Sequence, residues 1–218
     1  MAEVTSALRP ALQAVIDQLS LDVTDTQVDA LLAYIAMLQR WNAHYNLTAV
    51  RDPAQMLTQH LADCLAVFAP LQRETGTAPK RLLDVGSGGG LPGVVIAILD
   101  PQTDVTCVDT VGKKVAFVQQ VAGELRLGNL HAQHARVEQM KSAPFNVVTS
   151  RAFASLVDFT TLTRPHLGDA GIWMAMKGKS PADELASLPG AIDVFHVEQI
   201  AVPGLGADRC LVWMRPKR

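Results

Sequence analysis

The sequence predicts an α/β fold, in which a mostly parallel sheet carries helices on both faces. A helical extension precedes the sheet in the chain, and an antiparallel hairpin ends it. Three observations support this prediction. From residue 81 onward, short apolar runs alternate with longer helical segments, which is typical of a parallel sheet. The first seventy residues show helical spacing instead. The last two β-rich runs, DVFHVEQIAV and RCLVWMRP, are separated by PGLGAD and favour a hairpin.

The helical extension is predicted to cover residues 1–72. TDTQ at residues 24–27 fits a capping box, in which the first and fourth side chains satisfy backbone N–H groups at a helix start. An apolar stripe follows at helical spacing up to Trp41, and NAHYNLTAV is predicted to break that helix. Asp52-Pro53 then begins another helix. His60 lies on its apolar face, which favours a buried, hydrogen-bonded histidine over a metal ligand.

A second domain is predicted over residues 80–218, after the polar linker RETGTAPK at 73–80. Its elements are expected in this order: strand 81–85, helix 91–99, strand 104–109, helix 112–127, strands 130–135 and 145–150, a partly helical segment 155–167, strand 171–178, and a short helix from Ser180-Pro181. In parallel sheets, ligands bind beyond the carboxyl ends of the strands. The glycine-rich segment after the first strand lies at such an end.

Composition restricts the class of protein. Hydrophobic residues make up 49% and charged residues 18% of the 218 residues, which favours a sizeable core over disorder. We expect neither a membrane span nor a secretory signal, because no apolar run is long enough and no basic segment precedes an apolar one. The three cysteines lack metal-ligand spacing, so we expect a cytoplasmic protein without a metal site. Residues 111–218 hold thirteen basic and nine acidic residues, compatible with a basic face.

The glycine-rich segment RLLDVGSGGGLPG, residues 81–93, permits two ligands. Gly88, Gly90 and Gly93 match the dinucleotide fingerprint G-x-G-x-x-G, which alone is a weak signal and would place a pyrophosphate at a helix N-terminus. In the other interpretation, the carboxylate of Asp84 would repel a pyrophosphate and attract an ammonium or sulfonium group. That carboxylate therefore favours S-adenosylmethionine as the ligand.

A second carboxylate supports an adenosine in either case. Asp109 ends the next strand, nineteen residues after Gly90, where it can accept hydrogen bonds from both ribose hydroxyls. The structural alternative is that Asp109 only caps the turn into Gly112.

Several segments together resemble a known family. The glycine segment resembles the first motif of class I methyltransferases, and six further segments follow the order found in the ribosomal small-subunit methyltransferase G family, also called glucose-inhibited division protein B. They are WNAHYNLTAVRDP (41–53), HLADCL (60–65), VDTVGKKVAFV (108–118), ARVEQ (135–139), SRAFASL (150–156) and MKGK (176–179). The resemblance runs from about residue 24 to the C-terminus. One departure is Cys64, where the family usually has Ser, so no hydroxyl-dependent role is expected there.

This resemblance implies a class I, Rossmann-like methyltransferase fold with a seven-stranded sheet. It also implies methyl transfer from S-adenosylmethionine to N7 of one guanine in the decoding-region loop of 16S ribosomal RNA, with free RNA or the assembled small subunit as partner and a monomeric enzyme. The cofactor contacts of the family fall on Gly86, Leu91, Val137, Glu138 and Arg151.

The implied chemistry needs no general base, because guanine N7 carries a free lone pair. No nucleophile–base arrangement stands out in the sequence, so the catalytic residues stay unassigned. Arg151 is assigned to a phosphate or to the cofactor carboxylate, both of which suit a guanidinium. The candidates for RNA contacts are Asn46, Lys113, Lys114 and Lys177.

Two other functions remain open from the residues themselves. One is an NAD-dependent oxidoreductase that uses the same glycine loop, which Asp84 and the lack of a paired proton donor disfavour. The other is a non-catalytic nucleoside-binding factor in ribosome assembly.

Overall fold

The computed structural model contains one seven-stranded sheet, and it describes residues 2–151, 153–178 and 181–217. The strand order is β3-β2-β1-β4-β5-β7-β6. Strands β1 to β5 run parallel, while β7 pairs antiparallel with both β5 and β6. The strands are β1 Lys80–Val85, β2 Thr103–Asp109, β3 Leu130–His134, β4 Phe145–Ser150, β5 Leu167–Lys177, β6 Ile192–Gln199 and β7 Cys210–Pro216. The predicted mostly parallel sheet and its C-terminal hairpin are therefore confirmed.

The helices also follow the predicted order. They are α1 Ala2–Gln18, α2 Asp25–Tyr45, α3 Pro53–Met56, a π-helix Leu57–Ala62, α4 Asp63–Leu65, α5 Phe68–Thr75, α6 Gly93–Leu99, α7 Gly112–Glu124, α8 Leu156–Thr163 and α9 Ala182–Ala186, with 3₁₀ turns at Val137–Gln139 and Arg164–His166. Ser180, the predicted start of the last helix, lies outside the described residues. Within the described ranges, no helix is both long and apolar enough to cross a membrane.

Several predicted boundaries were wrong, and the largest shift among the strands is that of β5, which begins at Leu167 and not at residue 171. Helix α2 runs on to Tyr45, and its C-cap Asn46 adopts φ 49° and ψ 56°, a left-handed conformation that asparagine tolerates well. The predicted linker at 73–80 is also shorter, because α5 ends at Thr75 and β1 begins at Lys80. The polar character of Lys80 was misleading: its ammonium is buried, bonded to Gly76 O at 3.0 Å and paired with Asp100 at 3.4 Å.

The extension packs against one face of the sheet. A single hydrophobic cluster joins buried residues of α1, α2 and the segment 56–71 to residues of α6, α7 and the central strands, among them Tyr34, Leu61, Val94 and Phe117. A second cluster, which includes Phe159 of α8, fills the opposite face. Because burial of apolar area is the main stabilising contribution, extension and sheet stabilise one another. The division into domains at 1–72 and 80–218 stays a prediction.

The predicted capping box also connects the helical extension to the sheet. Thr24 accepts the Gln27 N–H at 3.3 Å, and Gln27 accepts the Thr24 N–H at 2.9 Å. The Gln27 amide then donates to Ile98 O at 3.1 Å and Leu99 O at 3.0 Å. One side chain thus satisfies backbone groups at the start of α2 and at the end of α6.

Candidate functional site

Two adjacent cavities lie at the carboxyl ends of β1 and β2. The wide cavity, about 440 Å³, is lined by Asp109, Val137 and Glu138 among others. The narrow cavity, about 190 Å³, is lined by Leu91 and Arg151 among others. Gly86 and Lys114 line both. The structure therefore brings together all six residues that were predicted to bind the cofactor, along one crevice at the predicted edge of the sheet.

Two glycines of the loop serve different purposes. Gly90 has φ +87°, and a Cβ there would lie 2.4 Å from Val94 Cγ2, so this glycine is needed for the turn into α6. Gly86 has φ +67°, and a Cβ there would meet nothing within 4 Å. Because that space opens onto both cavities, a ligand could lie directly against the backbone at Gly86.

Asp109 holds the loop in place. Its Oδ2 accepts the Gly88 N–H at 2.9 Å, its Oδ1 accepts the Val111 N–H at 2.9 Å, and the Lys114 ammonium lies 3.8 Å from Oδ2. Asp109 therefore does cap the turn that precedes α7, and these bonds do not make that cap its only role. Each carboxylate oxygen has a second lone pair, and Asp109 also lines the wide cavity, so the predicted ribose contact stays a prediction.

Asp84 is not exposed to the crevice, where the sequence pattern places its carboxylate beside a ligand. Its side chain is fully buried beneath the loop, where Oδ2 accepts the Gly93 N–H at 2.8 Å, and it lines neither cavity. Burial raises the pKa of Asp84 to about 7, against the opposing effects of the Gly93 N–H and the Arg151 guanidinium. Because Asp84 lies beneath the loop and away from both cavities, its carboxyl group does not face a cation in the crevice. The choice of ligand needs another basis.

Arg151, directly after β4, is held by the extension. Its Nη1 lies 3.2 Å from Gln59 O, 3.4 Å from His60 Nδ1 and 3.4 Å from Asp63 Oδ2. Asp63 is 1% exposed and also accepts a 2.7 Å hydrogen bond from Arg209 Nε. The buried carboxylate therefore joins helix α4 to the ends of two strands and fixes the guanidinium at the wall of the narrow cavity.

The extension supplies lining residues that the sequence analysis did not assign. Thr48 and His60 both line the narrow cavity, and the Tyr34 hydroxyl supports the glycine loop from below by donating to Gly89 O at 2.8 Å. His60 is 7% exposed and lies 2.8 Å from Thr48 Oγ1, which confirms a buried, hydrogen-bonded histidine. The Asn-Leu-Thr motif at 46–48 was the signal in the sequence that could have led to Thr48.

Comparison with known proteins decides the family. A family model described as rRNA small subunit methyltransferase G matches residues 27–212. The chain belongs to this family. A ribosomal RNA small subunit methyltransferase G of Leptothrix cholodnii is 62% identical over 209 residues, 96% of either chain. That of Albidiferax ferrireducens is 56% identical over 225 residues, covering 99% of this chain and 98% of the relative.

Solved methyltransferases share the fold of this methyltransferase G family member. The 1,6-didemethyltoxoflavin-N1-methyltransferase of Burkholderia thailandensis, solved with S-adenosylhomocysteine, has a TM-score of 0.59 at 16% identity and covers 85% of this chain and 90% of its own. TrmN of Thermus thermophilus has a TM-score of 0.56 at 15% identity, over 74% and 53% of the two chains. These likenesses confirm the predicted class I methyltransferase fold, and at such identities they show nothing further.

The four candidate RNA contacts differ in their surroundings. Lys113 is exposed in the first turn of α7, whereas Lys114 lies at the crevice beside Asp109. Lys177 is bound by both Glu184 oxygens, at 3.0 and 2.8 Å. Asn46 is exposed and accepts from Arg51 at 2.9 Å. The roles of these four residues in RNA binding stay predictions.

Two further features of the protein lie away from the crevice. Among the described residues, Glu74, His196 and Glu198 place potential metal-ligand atoms within 4.8 Å of one another. Arg73, however, lies 2.6 Å from Glu198 and 3.0 Å from Glu74, so a guanidinium already pairs with both carboxylates. A larger, shallow depression of about 860 Å³ follows the loop at 199–209. Neither feature adjoins the glycine loop.

Proposed function

We propose that this protein transfers the methyl group of S-adenosylmethionine to N7 of a guanine in the decoding-region loop of 16S ribosomal RNA. The observation that carries the proposal is the family match across residues 27–212. The convergence of the five family cofactor positions and Asp109 on one crevice supports it. The two relatives reported above, each named ribosomal RNA small subunit methyltransferase G, align with this chain over nearly their full length.

The residues of the crevice fit the proposed cofactor. The wide cavity offers Asp109 for ribose hydroxyls, and Val137 and Glu138 for an adenine edge. The narrow cavity offers the Arg151 guanidinium for a carboxylate. Gly86 joins the two cavities with open space where a Cβ would stand. We therefore assign the adenosine to the wide cavity and the amino-acid end to the narrow one.

Catalysis in this proposal is mainly positioning. S-adenosylmethionine supplies an electrophilic methyl group, which the N7 lone pair can accept without first losing a proton. The chain then has to hold base and cofactor in line and to exclude water. The rigid loop supports this task, since Tyr34, Asp84 and Asp109 each bond to a different loop residue.

The charge balance of the crevice suits a reaction that leaves a cationic base. Unpaired cations beside N7 would oppose methyl transfer. Among the described residues, each arginine or lysine that lines either cavity has a carboxylate within 4 Å. The pairs are Lys114 with Asp109 at 3.8 Å, Arg136 with Glu138 at 3.9 Å and Arg151 with Asp63 at 3.4 Å.

The proposed partner is small-subunit ribosomal RNA, free or assembled. The target guanine has to be unstacked or in a loop, because the deep groove of an RNA helix is closed to side chains. A formal net charge of −2 is compatible with few phosphate contacts.

Transfer of labelled methyl groups tests the function. Purified protein and labelled S-adenosylmethionine are incubated with small subunits and with naked 16S RNA from cells that lack the enzyme, and the modified nucleotide is mapped. We expect label at N7 of one guanine in the decoding region. Binding of cofactor without any transfer would favour a non-catalytic assembly factor, and label at another atom would contradict the N7 assignment.

A further inference from the structure

The loop after α2 presents a hydroxyl group to the narrow cavity in a fixed orientation. Asn42 is buried, accepts the Thr48 N–H at 2.9 Å and donates to Val50 O at 2.9 Å. These two bonds fix the backbone around Thr48. Its Oγ1 accepts the Val50 N–H at 3.2 Å and lies 2.8 Å from His60 Nε2.

The tautomer of His60 follows from its second neighbour. Arg151 Nη1 lies 3.4 Å from His60 Nδ1, and a guanidinium has only donors. With Nδ1 accepting from Arg151, Nε2 carries the proton and donates to Thr48 Oγ1. Burial lowers the pKa of His60 and the Arg151 charge lowers it further, against the opposing effects of the Gln59 backbone and the Asp63 carboxylate, which favours a neutral ring.

The hydroxyl proton of Thr48 is then left without an acceptor among these neighbours. A hydroxyl has two acceptor lone pairs and one proton. The Val50 N–H and the His60 N–H use both lone pairs, so the hydroxyl proton has to point elsewhere. Thr48 lines the narrow cavity beside Arg151, and an acceptor in that cavity would be met by a hydroxyl donor from one side and a cation from another.

We propose that the Thr48 hydroxyl, oriented by His60, donates a hydrogen bond to the carboxylate of the amino-acid end of the cofactor. This inference rests on the proposed function and extends it, because it makes the N-terminal extension part of the cofactor site. His60 is a positioning residue here: it orients Thr48 and does not touch the ligand. The Thr48 hydroxyl and the Arg151 guanidinium both donate hydrogen bonds, so together they favour a carboxylate. The guanidinium would repel an ammonium group in the same place.

Binding of two matched ligands tests this assignment. S-adenosylmethionine and its decarboxylated form share adenosine, sulfonium and amine, and differ only in the carboxylate. We expect Thr48→Val, which keeps the shape, to weaken binding of S-adenosylmethionine about tenfold, as for a lost hydrogen bond to a charged group. Binding of the decarboxylated ligand should stay within about twofold of wild type. Thr48→Ser, which keeps the hydroxyl, should restore the preference for the carboxylate.

Other results would overturn the assignment. Equal weakening of both ligands by Thr48→Val would mean that the hydroxyl only supports the loop. Unchanged affinity for both ligands, with a raised KM for RNA, would place the hydroxyl on the substrate side. Failure of the wild-type protein to bind either ligand would instead refute the proposed cofactor. Thermal melting of each variant checks that the fold is retained.

Discussion

Replacing Asp63 with alanine is expected to lower the free energy of unfolding by about 3 kcal/mol, because it leaves two arginines without their shared partner in a largely desolvated site. Asp63 is 1% exposed and contacts Arg209 Nε at 2.7 Å and Arg151 Nη1 at 3.4 Å. These arginines stand at the ends of different strands, so the loss loosens the extension from the sheet. Urea-induced unfolding followed by circular dichroism measures the change.

A surface pair of the same geometry provides the control. Asp193 lies 2.8 Å from Arg215 Nε, close to the 2.7 Å of the Asp63–Arg209 pair, but its side chain is 34% exposed. Asp193→Ala should therefore lower the free energy of unfolding by only about 0–1 kcal/mol, as measured for solvent-exposed ion pairs. Equal losses in the two variants would mean that the buried carboxylate does not join extension and sheet.

Replacing Arg151 with alanine is expected to weaken binding of S-adenosylhomocysteine by at least about tenfold, because a charge-assisted hydrogen bond to the ligand carboxylate is lost. The guanidinium lines the narrow cavity, where we assign that carboxylate. Asp63 keeps Arg209 as its partner, so the variant should stay folded. Isothermal titration calorimetry gives the affinity directly.

Arg209 is a matched control for this effect. Both arginines pair with Asp63, and their side chains are similarly exposed, 26% for Arg151 and 25% for Arg209. Only Arg151 lines the cavities at the glycine loop. Arg209→Ala should reduce stability to a similar degree and leave the affinity for S-adenosylhomocysteine within about twofold of wild type. Similar losses of affinity in both variants would assign Arg151 a structural role only.

Most of the fold followed from local patterns in the sequence. The capping box at residues 24–27, the Asp52 N-cap and the alternation of strands and helices each reflect interactions between close neighbours in the chain, and the structure has all of them. The errors arose where distant contacts override local preference. Lys80 was taken as part of a polar linker, but it is buried because Asp100 and two backbone carbonyls satisfy its ammonium.

The sequence predicted where the candidate site lies, but only some of the contacts that its side chains make. The glycine loop and the strand ends located the crevice, since topology alone brings them to one edge. The direction in which a side chain points does not follow from its place in a motif. Asp84 therefore turned out to lie beneath the loop, and Asp109 to bond the loop backbone.

The residues contributed by the extension could not be found from spacing. His60 and Asp63 contact Arg151 across 91 and 88 positions of the chain, and Thr48 lines the same cavity as Arg151. Such contacts depend on how α2 and the π-helix pack on the sheet. The family resemblance suggests a role on the substrate side for the Asn-Leu-Thr motif within WNAHYNLTAVRDP, and the structure places Thr48 beside His60 at the narrow cavity.

The central claim is that the crevice at Gly86 accepts an adenosyl amino acid and no dinucleotide. Calorimetric titration of the wild-type protein with S-adenosylhomocysteine, and separately with NAD, tests it most directly. We expect saturable one-to-one binding of S-adenosylhomocysteine and no measurable heat with NAD. Tight binding of NAD with none of the thioether would contradict the account.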